Sequence, residues 1–332
     1  MSPMVATSTQ NGLFAVIAGE LQAVEDRLQT PGEESGTLLS VVASYALASG
    51  GKRIRPALLL LAARVCGAMQ TERVVTLASV AECMHAASLI HDDIVDHSEM
   101  RRGRPSAAAR WGADVSVLVG DFLYSRAIQT LVADGDMRIL RAFAEATLCM
   151  TEGEVLQLQL LHDLKISDAD YLRIVAGKTA ALMSAACRAG ALVGDASEPT
   201  VEALAAFGLN LGIAFQLVDD ALDYSAREDR LGKPVGSDFR EGKITYPVIH
   251  IMRTASPEDR AVLESLPARA RVSDGDIRPL YALVERYAGV PATLRLADVY
   301  LAQARARLEL IPESPACCAL HRLADFVRER DW

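Results

Sequence analysis

Apolar residues recur along this 332-residue chain with the periodicity of helices, and alternating, strand-like stretches are nearly absent. Two segments, VVTLASVAECMHAASLIHDDIVDH and VEALAAFGLNLGIAFQLVDDALDY, are apolar on most sides, as expected for helices at the centre of a bundle. No proline occurs between Pro105 and Pro199, which favours long helices. The pattern predicts an all-α bundle of ten or more helices.

The helical pattern runs on without a linker or a low-complexity block. We therefore predict a single domain over residues 11–332, although the length alone favours two domains. Residues 1–10 are rich in Ser and Thr and lack periodicity, which predicts a disordered N-terminus. Even the segment PALLLLAARVCGAM is interrupted by Arg64, and no apolar run approaches 18 residues, so no membrane span is predicted.

Composition narrows the functional classes. Hydrophobic residues make up 51% of the chain and aromatic residues 5%, and abundant Ala and Leu favour helices. The net charge of -9 argues against a nucleic-acid partner, because phosphate backbones require basic surfaces. The six cysteines show neither a CxxC motif nor metal-ligand spacing, and no signal peptide is recognisable. These features predict reduced thiols in a cytoplasmic protein.

Two stretches place several carboxylates in otherwise apolar helices. Each of them, LIHDDIVDHSEMRRG and AFQLVDDALDY, contains the pattern Asp-Asp-x-x-Asp. On an ideal helix Asp92 and Asp96 lie about 40° apart, one turn along, and the polar residues of the second stretch share one stripe. The residues of that stripe are Gln216, Asp219, Asp220 and Asp223.

Carboxylates on a buried face repel one another and lose their hydration, so they require neutralising cations. A solvated acidic helix face is the ordinary interpretation of one such motif, but two copies, each following an apolar turn, favour a metal site. The carboxylates are hard oxygen ligands with no Cys or nearby His pair, which favours Mg²⁺ over zinc. Mg²⁺ keeps several water ligands and also binds substrate phosphates. Two aspartate motifs that face a cleft, each with only a few carboxylates, fit this preference.

Basic residues cluster beside glycines in five short segments. Each segment alone is more typical of a solvated loop, and none has the spacing of a Walker loop. Together they predict anion receptors around a magnesium site. The segments are GGKRIRP with Lys52, Arg53 and Arg55, MRRGRP with Arg101 and Arg102, GKTA with Lys178 and Thr179, LGKPVGSD with Lys233 and Asp238, and EGKITYP with Lys243.

In their order and spacing these motifs resemble those of the trans-isoprenyl (polyprenyl) diphosphate synthase family, over nearly the whole chain. The order is GGKRxRP, HxxxxxHDDxxD, RRGxP, GKT, FQxxDDxxD and GKPxGSD. The resemblance implies an isoprenoid synthase-type helical bundle around a central cavity, usually a homodimer, with two or three Mg²⁺ per active site. It implies head-to-tail condensation of isopentenyl diphosphate onto an allylic diphosphate, farnesyl or shorter.

The resemblance also implies a role for each motif. Metal ligation is implied for Asp92, Asp96 and Asp219, with Asp93, Asp220 and Asp223 as second candidates that act through water or the lysines. The allylic diphosphate would be held by Arg101, Lys178, Thr179, Gln216 and Lys243, with Lys233 as a further candidate. Isopentenyl diphosphate would be held by Lys52, Arg55, His85 and Arg102. The released pyrophosphate is the expected base for the final proton.

Product length is expected to be set by the helical residues that precede the first aspartate motif. Short-chain members of the family carry bulky aromatic residues at the fifth or fourth position before it, where this chain has Ala87 and Ser88. Met84 and Ala81 lie deeper, the latter about 16 Å below the motif. The absence of an aromatic residue at these positions predicts a C40–C50 product for a quinone side chain. The likeness of VLVGDFLYSRAIQ to octaprenyl and decaprenyl synthases supports the same prediction. Geranylgeranyl diphosphate is the alternative product.

Three other classes are weighed against this interpretation. A class I terpene cyclase shares the fold and the first aspartate motif, but lacks the GGKRIRP pocket and a second DDxxD. A non-catalytic subunit of a heteromeric synthase usually loses one aspartate motif, and both are whole here. A calcium-binding or other structural role is less favoured than either of these. A core position is the ordinary interpretation of His85. Its place two turns before Asp92 on the same helix face favours a role in binding substrate.

Overall fold

The computed structural model describes residues 12–29, 36–48, 50–69, 71–225, 236–266 and 274–330, and most of these residues lie in helices. The prediction of an all-α bundle is therefore confirmed. The helices are α1 (Ala18–Gln29), α2 (Leu38–Leu47), α3 (Ile54–Val65), α4 (Thr71–Val95), α5 (Ala107–Trp111), α6 (Ala113–Asp134), α7 (Met137–Gln159), α8 (Asp168–Val175), α9 (Ala181–Val193), α10 (Glu198–Ser225), α11 (Ser237–Arg240), α12 (Tyr246–Thr254), α13 (Pro257–Ser265), α14 (Asp274–Arg286), α15 (Gly289–Leu308) and α16 (Pro315–Glu329). A 3₁₀ turn spans Ala15–Ile17, and a π-helical turn, Ala176–Ala180, joins α8 to α9.

Helix starts follow from local sequence. The side chains of Thr37, Ser106, Ser167 and Ser256 each accept a hydrogen bond from the backbone N–H three residues later. Such caps satisfy one of the N–H groups that the first turn of a helix leaves without a partner. Proline is tolerated in the first turn for the same reason, but Pro279 lies well inside α14, where sequence alone favours a helix start or a loop.

The first compact unit comprises the described parts of Met1–Thr147, Leu182–Gly208 and Arg307–Leu323. Its centre is α4, which packs against α1, α3 and α6. Because α4 is apolar on most sides, it is buried on most sides, and its burial leaves the carboxylates at its C-terminal end in a fixed position. The run Leu58–Leu61 of α3 is also buried.

The second compact unit comprises the described parts of Leu148–Ala181, Leu209–Ala306 and Ala324–Trp332. Phe239, Val248 and Leu280 belong to its core. A Cβ atom at position 212 would lie 2.5 Å from Cα of Ala180, so glycine is required where α10 meets the π-helical turn. The single-domain prediction for residues 11–332 stays a prediction, and residues 1–10 lie outside the described part of the chain.

Within the described residues, the one sheet is a minimal antiparallel hairpin. Its strands are β1 (Met100–Arg101) and β2 (Arg104–Pro105), with Met100 paired to Pro105 and Arg101 to Arg104. The two residues of the turn, Arg102 and Gly103, have φ values of 51° and 75°, as expected for a tight hairpin turn. This hairpin follows α4 and presents the basic MRRGRP segment.

Among the residues that the structure describes, three helices, α4, α6 and α10, are long and apolar enough to cross a membrane by length and composition. The most apolar 18-residue windows of α4 and α10 are 67% and 72% buried within the protein, whereas that of α6 is only 33% buried. The absence of a membrane span is therefore still a prediction.

Candidate active site

The first aspartate motif lies at the C-terminal end of α4, and its three carboxylates differ in environment. Asp92 and Asp96 are half-buried, whereas Asp93 is 4% exposed. Oδ1 of Asp93 accepts hydrogen bonds from Nε and Nη2 of Arg101, at 2.8 and 2.5 Å. The second carboxylate therefore ties the hairpin to α4, which leaves Asp92 and Asp96 as the candidates for ligand contact.

The hairpin brings the RRG segment against the GGKRIRP segment. A Cβ atom at position 51 would lie 2.8 Å from Nη1 of Arg102, so glycine is needed for the guanidinium to come this close. The hydroxyl of Tyr45 donates a hydrogen bond of 2.8 Å to the carbonyl of Pro105, which also holds the hairpin in place. The two basic segments are thereby joined in one place.

Tyr45, Arg102 and Pro105 line a cavity in the first unit, together with His85 and Ala86 of α4. Burial lowers the pKa of His85 well below its ordinary value, and the charges of Arg55 and Arg102 lower it further. A neutral imidazole among guanidinium groups can donate one hydrogen bond to an anion without adding charge. Lys52 and Arg55 are half-buried in the same segment.

Arg53 has a different function from its basic neighbours. Its backbone adopts a left-handed conformation with φ of 49° immediately before α3. Its side chain is paired with Glu25 and with Glu82, the latter at 2.6 Å, and also donates to the carbonyl of Leu47. This guanidinium therefore stabilises the packing of α1 and α4 around α3, and we assign it no role in anion binding.

The second aspartate motif lies on α10, and its carboxylates also differ in their environment. Asp219 is half-buried, and Asp220 is only 2% exposed. Oδ2 of Asp220 accepts from the hydroxyl of Tyr171 at 2.5 Å, and Oδ1 accepts from Nε2 of Gln216 at 2.8 Å. Burial raises the pKa of Asp220 to about 7, although these two hydrogen bonds favour its ionised form.

Asp223 caps the short helix α11, which carries the GSD segment. Its Oδ1 accepts from the backbone N–H and the hydroxyl of Ser237, at 3.1 and 2.8 Å, and its Oδ2 accepts from the N–H of Asp238 at 3.1 Å. The backbone N–H of Lys243 donates to the carbonyl of Asp238 at 2.8 Å, and its ammonium is paired with Glu241 at 2.8 Å. Lys233, from the same predicted segment, lies outside the described residues.

The GKT segment forms the π-helical turn between α8 and α9. Turns of this kind are rare and are frequent at functional sites. A Cβ atom at position 177 would lie 2.6 Å from the carbonyl oxygen of Cys149 on α7, so glycine is required there. Lys178 forms an ion pair with Glu154, and the hydroxyl of Thr179 donates to Oε1 of Gln216 at 2.8 Å.

Three polar side chains of the second unit were not found by sequence reasoning. Tyr171 and Glu154 are described above. The third is Arg330, whose side chain is 2% exposed, stacks on the ring of Phe215 at 3.8 Å and lies 2.8 Å from Oδ1 of Asp219. Only the seven-residue spacing between Tyr171 and Lys178, two helical turns, could have indicated one of them.

The donor chemistry of both motifs suits a hard cation. In the part of the chain that the structure describes, no cluster of three or more His, Cys, Asp or Glu side chains could hold a metal by itself. Partly exposed carboxylates are nevertheless present in each unit, as Asp92 with Asp96 and as Asp219. A few carboxylates that share a cation with waters and phosphates are typical of Mg²⁺ sites, so the residues fit that ion.

The residues predicted to control product length lie on α4. Ala81 and Ala87 are fully buried, and Met84 is 2% exposed, with its sulfur 4.0 Å from the hydroxyl of Thr147. Ser88 is half-buried, and its hydroxyl donates to the carbonyl of His85 at 2.8 Å. Their influence on product length stays a prediction.

Comparisons with known proteins agree with the motifs. The family model of polyprenyl synthetases matches residues 37–284. The octaprenyl diphosphate synthase of Escherichia coli is 37% identical over 298 residues, which are 89% of this chain and 90% of that protein.

Solved structures also match over nearly the whole chain. A polyprenyl synthase from Caulobacter crescentus, crystallised with calcium and isoprenyl diphosphate, is 39% identical, with a TM-score of 0.89 and 100% of each chain covered. A decaprenyl diphosphate synthase from Rhodobacter capsulatus is 39% identical, with a TM-score of 0.89, covering 97% of this chain and 99% of that one. The isoprenoid synthase fold is therefore confirmed. Other relatives include nonaprenyl, heptaprenyl and geranylgeranyl synthases, so the comparisons leave the product length open.

Proposed function

Because this chain belongs to the polyprenyl synthetase family, we propose that it condenses isopentenyl diphosphate head to tail onto farnesyl diphosphate or a shorter allylic diphosphate. The proposed product is an all-trans polyprenyl diphosphate of C40 to C50 that supplies a quinone side chain. The prenyltransferase class follows from the family; the substrates, the product and the metal are our proposal.

Isopentenyl diphosphate would bind where the RRG segment approaches the GGKRIRP segment of the first unit. The observation that carries this assignment is the approach of Arg102 to Gly51 beside the neutral His85. Guanidinium groups form charge-assisted hydrogen bonds with phosphate oxygens, so Arg55 and Arg102 would hold the diphosphate. Lys52 belongs to the same segment and would add a further charge.

The allylic diphosphate would be held by Lys178, Gln216 and Lys243, and the family motifs assign Arg101 to the same diphosphate. When bound, Mg²⁺ would stabilise the negative charge that develops on the leaving diphosphate. The carboxylates that would hold it are Asp92, Asp96 and Asp219. No side-chain base is required, because the released pyrophosphate can accept the final proton.

The long product is supported by the side chains of α4 before the first motif. Positions 87 and 88, where short-chain members carry bulky aromatic residues, hold Ala and Ser here. A growing prenyl chain therefore meets no aromatic ring at these positions. Geranylgeranyl diphosphate is the alternative product, supported by relatives of that type.

A non-catalytic subunit of a heteromeric synthase is a second candidate. One relative, component 2 of a heptaprenyl diphosphate synthase, is by its name part of an enzyme with more than one component. The presence of both aspartate motifs favours a catalytic chain. We also propose a cytoplasmic location, which the six unpaired cysteines support.

We propose that a second copy of the chain covers α6. Val117, Leu118, Ile128 and Val132 are exposed on this helix and lie within about 100° of one another on its surface. Light scattering on a sizing column should give a dimer for the wild type and a monomer for Leu118→Lys. A monomeric wild type that sediments with lipid vesicles would instead identify α6 as a membrane-binding surface.

Condensation itself is tested with labelled isopentenyl diphosphate, farnesyl diphosphate and Mg²⁺. We expect label in an extractable prenyl product with the purified chain alone, and none with Asp219→Asn. Label that appears only after a second, different subunit is added would contradict the catalytic assignment and favour the heteromeric one.

A further inference from the structure

Tyr171 belongs to none of the basic or acidic motifs, yet it contacts one of them directly. It lies in α8 and is 3% exposed, and its hydroxyl donates to the buried carboxylate of Asp220 at 2.5 Å. We propose that Tyr171 is a positioning residue for prenyl transfer, which acts through Asp220 and Gln216 on the GKT turn. The inference rests on the proposed function, since that turn is proposed to hold the allylic diphosphate.

The hydrogen bonds form one continuous chain of four side chains within the second unit. Tyr171 donates to Oδ2 of Asp220, and Gln216 donates to Oδ1 of the same carboxylate at 2.8 Å. Gln216 in turn accepts the hydroxyl proton of Thr179 at 2.8 Å. We call these four residues, Tyr171, Asp220, Gln216 and Thr179, the polar relay.

Burial explains why the relay organises the site and does not itself bind ligand at Asp220. Its carboxylate is 2% exposed, and both of its oxygen atoms have protein donors. A buried carboxylate is tolerated only when donors surround it, so loss of the Tyr171 hydroxyl leaves part of that requirement unmet. Asp220 would then reorient, and the amide of Gln216 would lose its fixed partner.

The relay connects the elements that carry the proposed diphosphate ligands. Asp219 and Asp220 are adjacent on α10, and Thr179 is adjacent to Lys178 on the π-helical turn. The hydroxyl of Thr179 donates its proton to Gln216, so the role of Thr179 is to hold the turn in position. The relay thereby sets the position of Lys178 relative to Asp219. The residues proposed for isopentenyl diphosphate contribute no member to it.

The relay therefore predicts a selective defect. Tyr171→Phe keeps the ring and removes only the hydroxyl. We expect the KM for the allylic diphosphate to rise roughly tenfold, the size of one lost hydrogen bond to a charged group, while the KM for isopentenyl diphosphate stays within about twofold. Tyr246→Phe is the matched control, because its ring lies 5.8 Å from that of Tyr171 and it belongs to no part of the relay.

The test combines steady-state kinetics with calorimetric binding of farnesyl thiodiphosphate, a slowly reacting analogue, in the presence of Mg²⁺. Thr179→Val should reproduce the Tyr171→Phe defect, and Thr179→Ser, which keeps the hydroxyl group, should be less impaired than Thr179→Val. The loss of analogue affinity in the double variant Tyr171→Phe with Thr179→Val should be smaller than the product of the two single losses. Both substitutions interrupt the same relay, so the second has less left to disrupt. Circular dichroism confirms that each variant is folded.

Three results would overturn the inference: unchanged analogue affinity in Tyr171→Phe, an equal loss in Tyr246→Phe, or strictly multiplicative single effects. Failure of the proposed function gives a separate result. In that case the wild type makes no prenyl product, while analogue binding still reports whether the relay positions the site.

Discussion

Gly51→Ala adds one methyl group at the contact between the two basic segments. The new Cβ would lie 2.8 Å from Nη1 of Arg102 and 3.4 Å from its Cζ. The guanidinium must retreat by about 0.6 Å to restore an ordinary contact, which is comparable to the whole window of about 0.5 Å in which N–H···O bonds form. The far end of a flexible side chain can move at little cost, so the fold should persist.

We expect this displacement to weaken the charge-assisted hydrogen bond from Arg102 to isopentenyl diphosphate. The KM for that substrate should rise roughly tenfold, and the KM for the allylic substrate should change little. Steady-state kinetics with each substrate varied in turn measures both values.

The φ of +158° at Gly51 is also uncommon for alanine, so a control for backbone strain is needed. Gly36→Ala serves this purpose, because its φ is +100° and no atom lies within 4 Å of the added Cβ. Equal increases in both KM values after Gly51→Ala, or the same increase after Gly36→Ala, would refute the assignment of Arg102.

Three further predictions follow from the same structure. Asp219→Ala should lower turnover by more than 100-fold at saturating Mg²⁺, since one electrostatic contact at a leaving group contributes about 3 kcal/mol; near-normal turnover would remove Asp219 from the metal site. Ser88→Phe places a ring about 6 Å below the first motif and should shift the products toward C15–C20, as measured by chromatography, whereas Ser88→Ala should leave them unchanged. Ala87→Phe should shift the products in the same way, but it should also lower the stability of the fold by about 1–3 kcal/mol, because that position is fully buried. Arg53→Met should lower the free energy of unfolding in urea by about 3 kcal/mol, because it leaves two carboxylates without their cation, and a KM defect without loss of stability would contradict its structural role.

Much of the fold could be predicted because helix periodicity and motif spacing are local properties of the sequence. The all-α class and the placement of Asp92, Asp96 and the second motif on helices follow from apolar repeats alone. The helical wheel also placed Asp219 and Asp220 on one stripe. It gave no indication that Asp220 is turned into the protein, because its donor Tyr171 lies 49 residues away.

The remaining features depend on long-range contacts or on unusual backbone geometry. Arg53 looks like its basic neighbours in sequence, and only its left-handed backbone and the distant Glu25 and Glu82 show its structural function. The π-helical turn at Ala176–Ala180 has no periodicity of its own. Arg330 contacts α10 across more than a hundred residues, a pairing that no local pattern contains.

The central claim is that this chain alone extends an allylic diphosphate to a long all-trans product. The most direct measurement incubates the purified wild type with farnesyl diphosphate, excess labelled isopentenyl diphosphate and Mg²⁺, and sizes the dephosphorylated products by chromatography. The account predicts a distribution centred on C40 to C50. A product that stops at C20 would contradict the long-chain assignment made from Ala87 and Ser88, and the absence of any prenyl product would contradict the catalytic account as a whole.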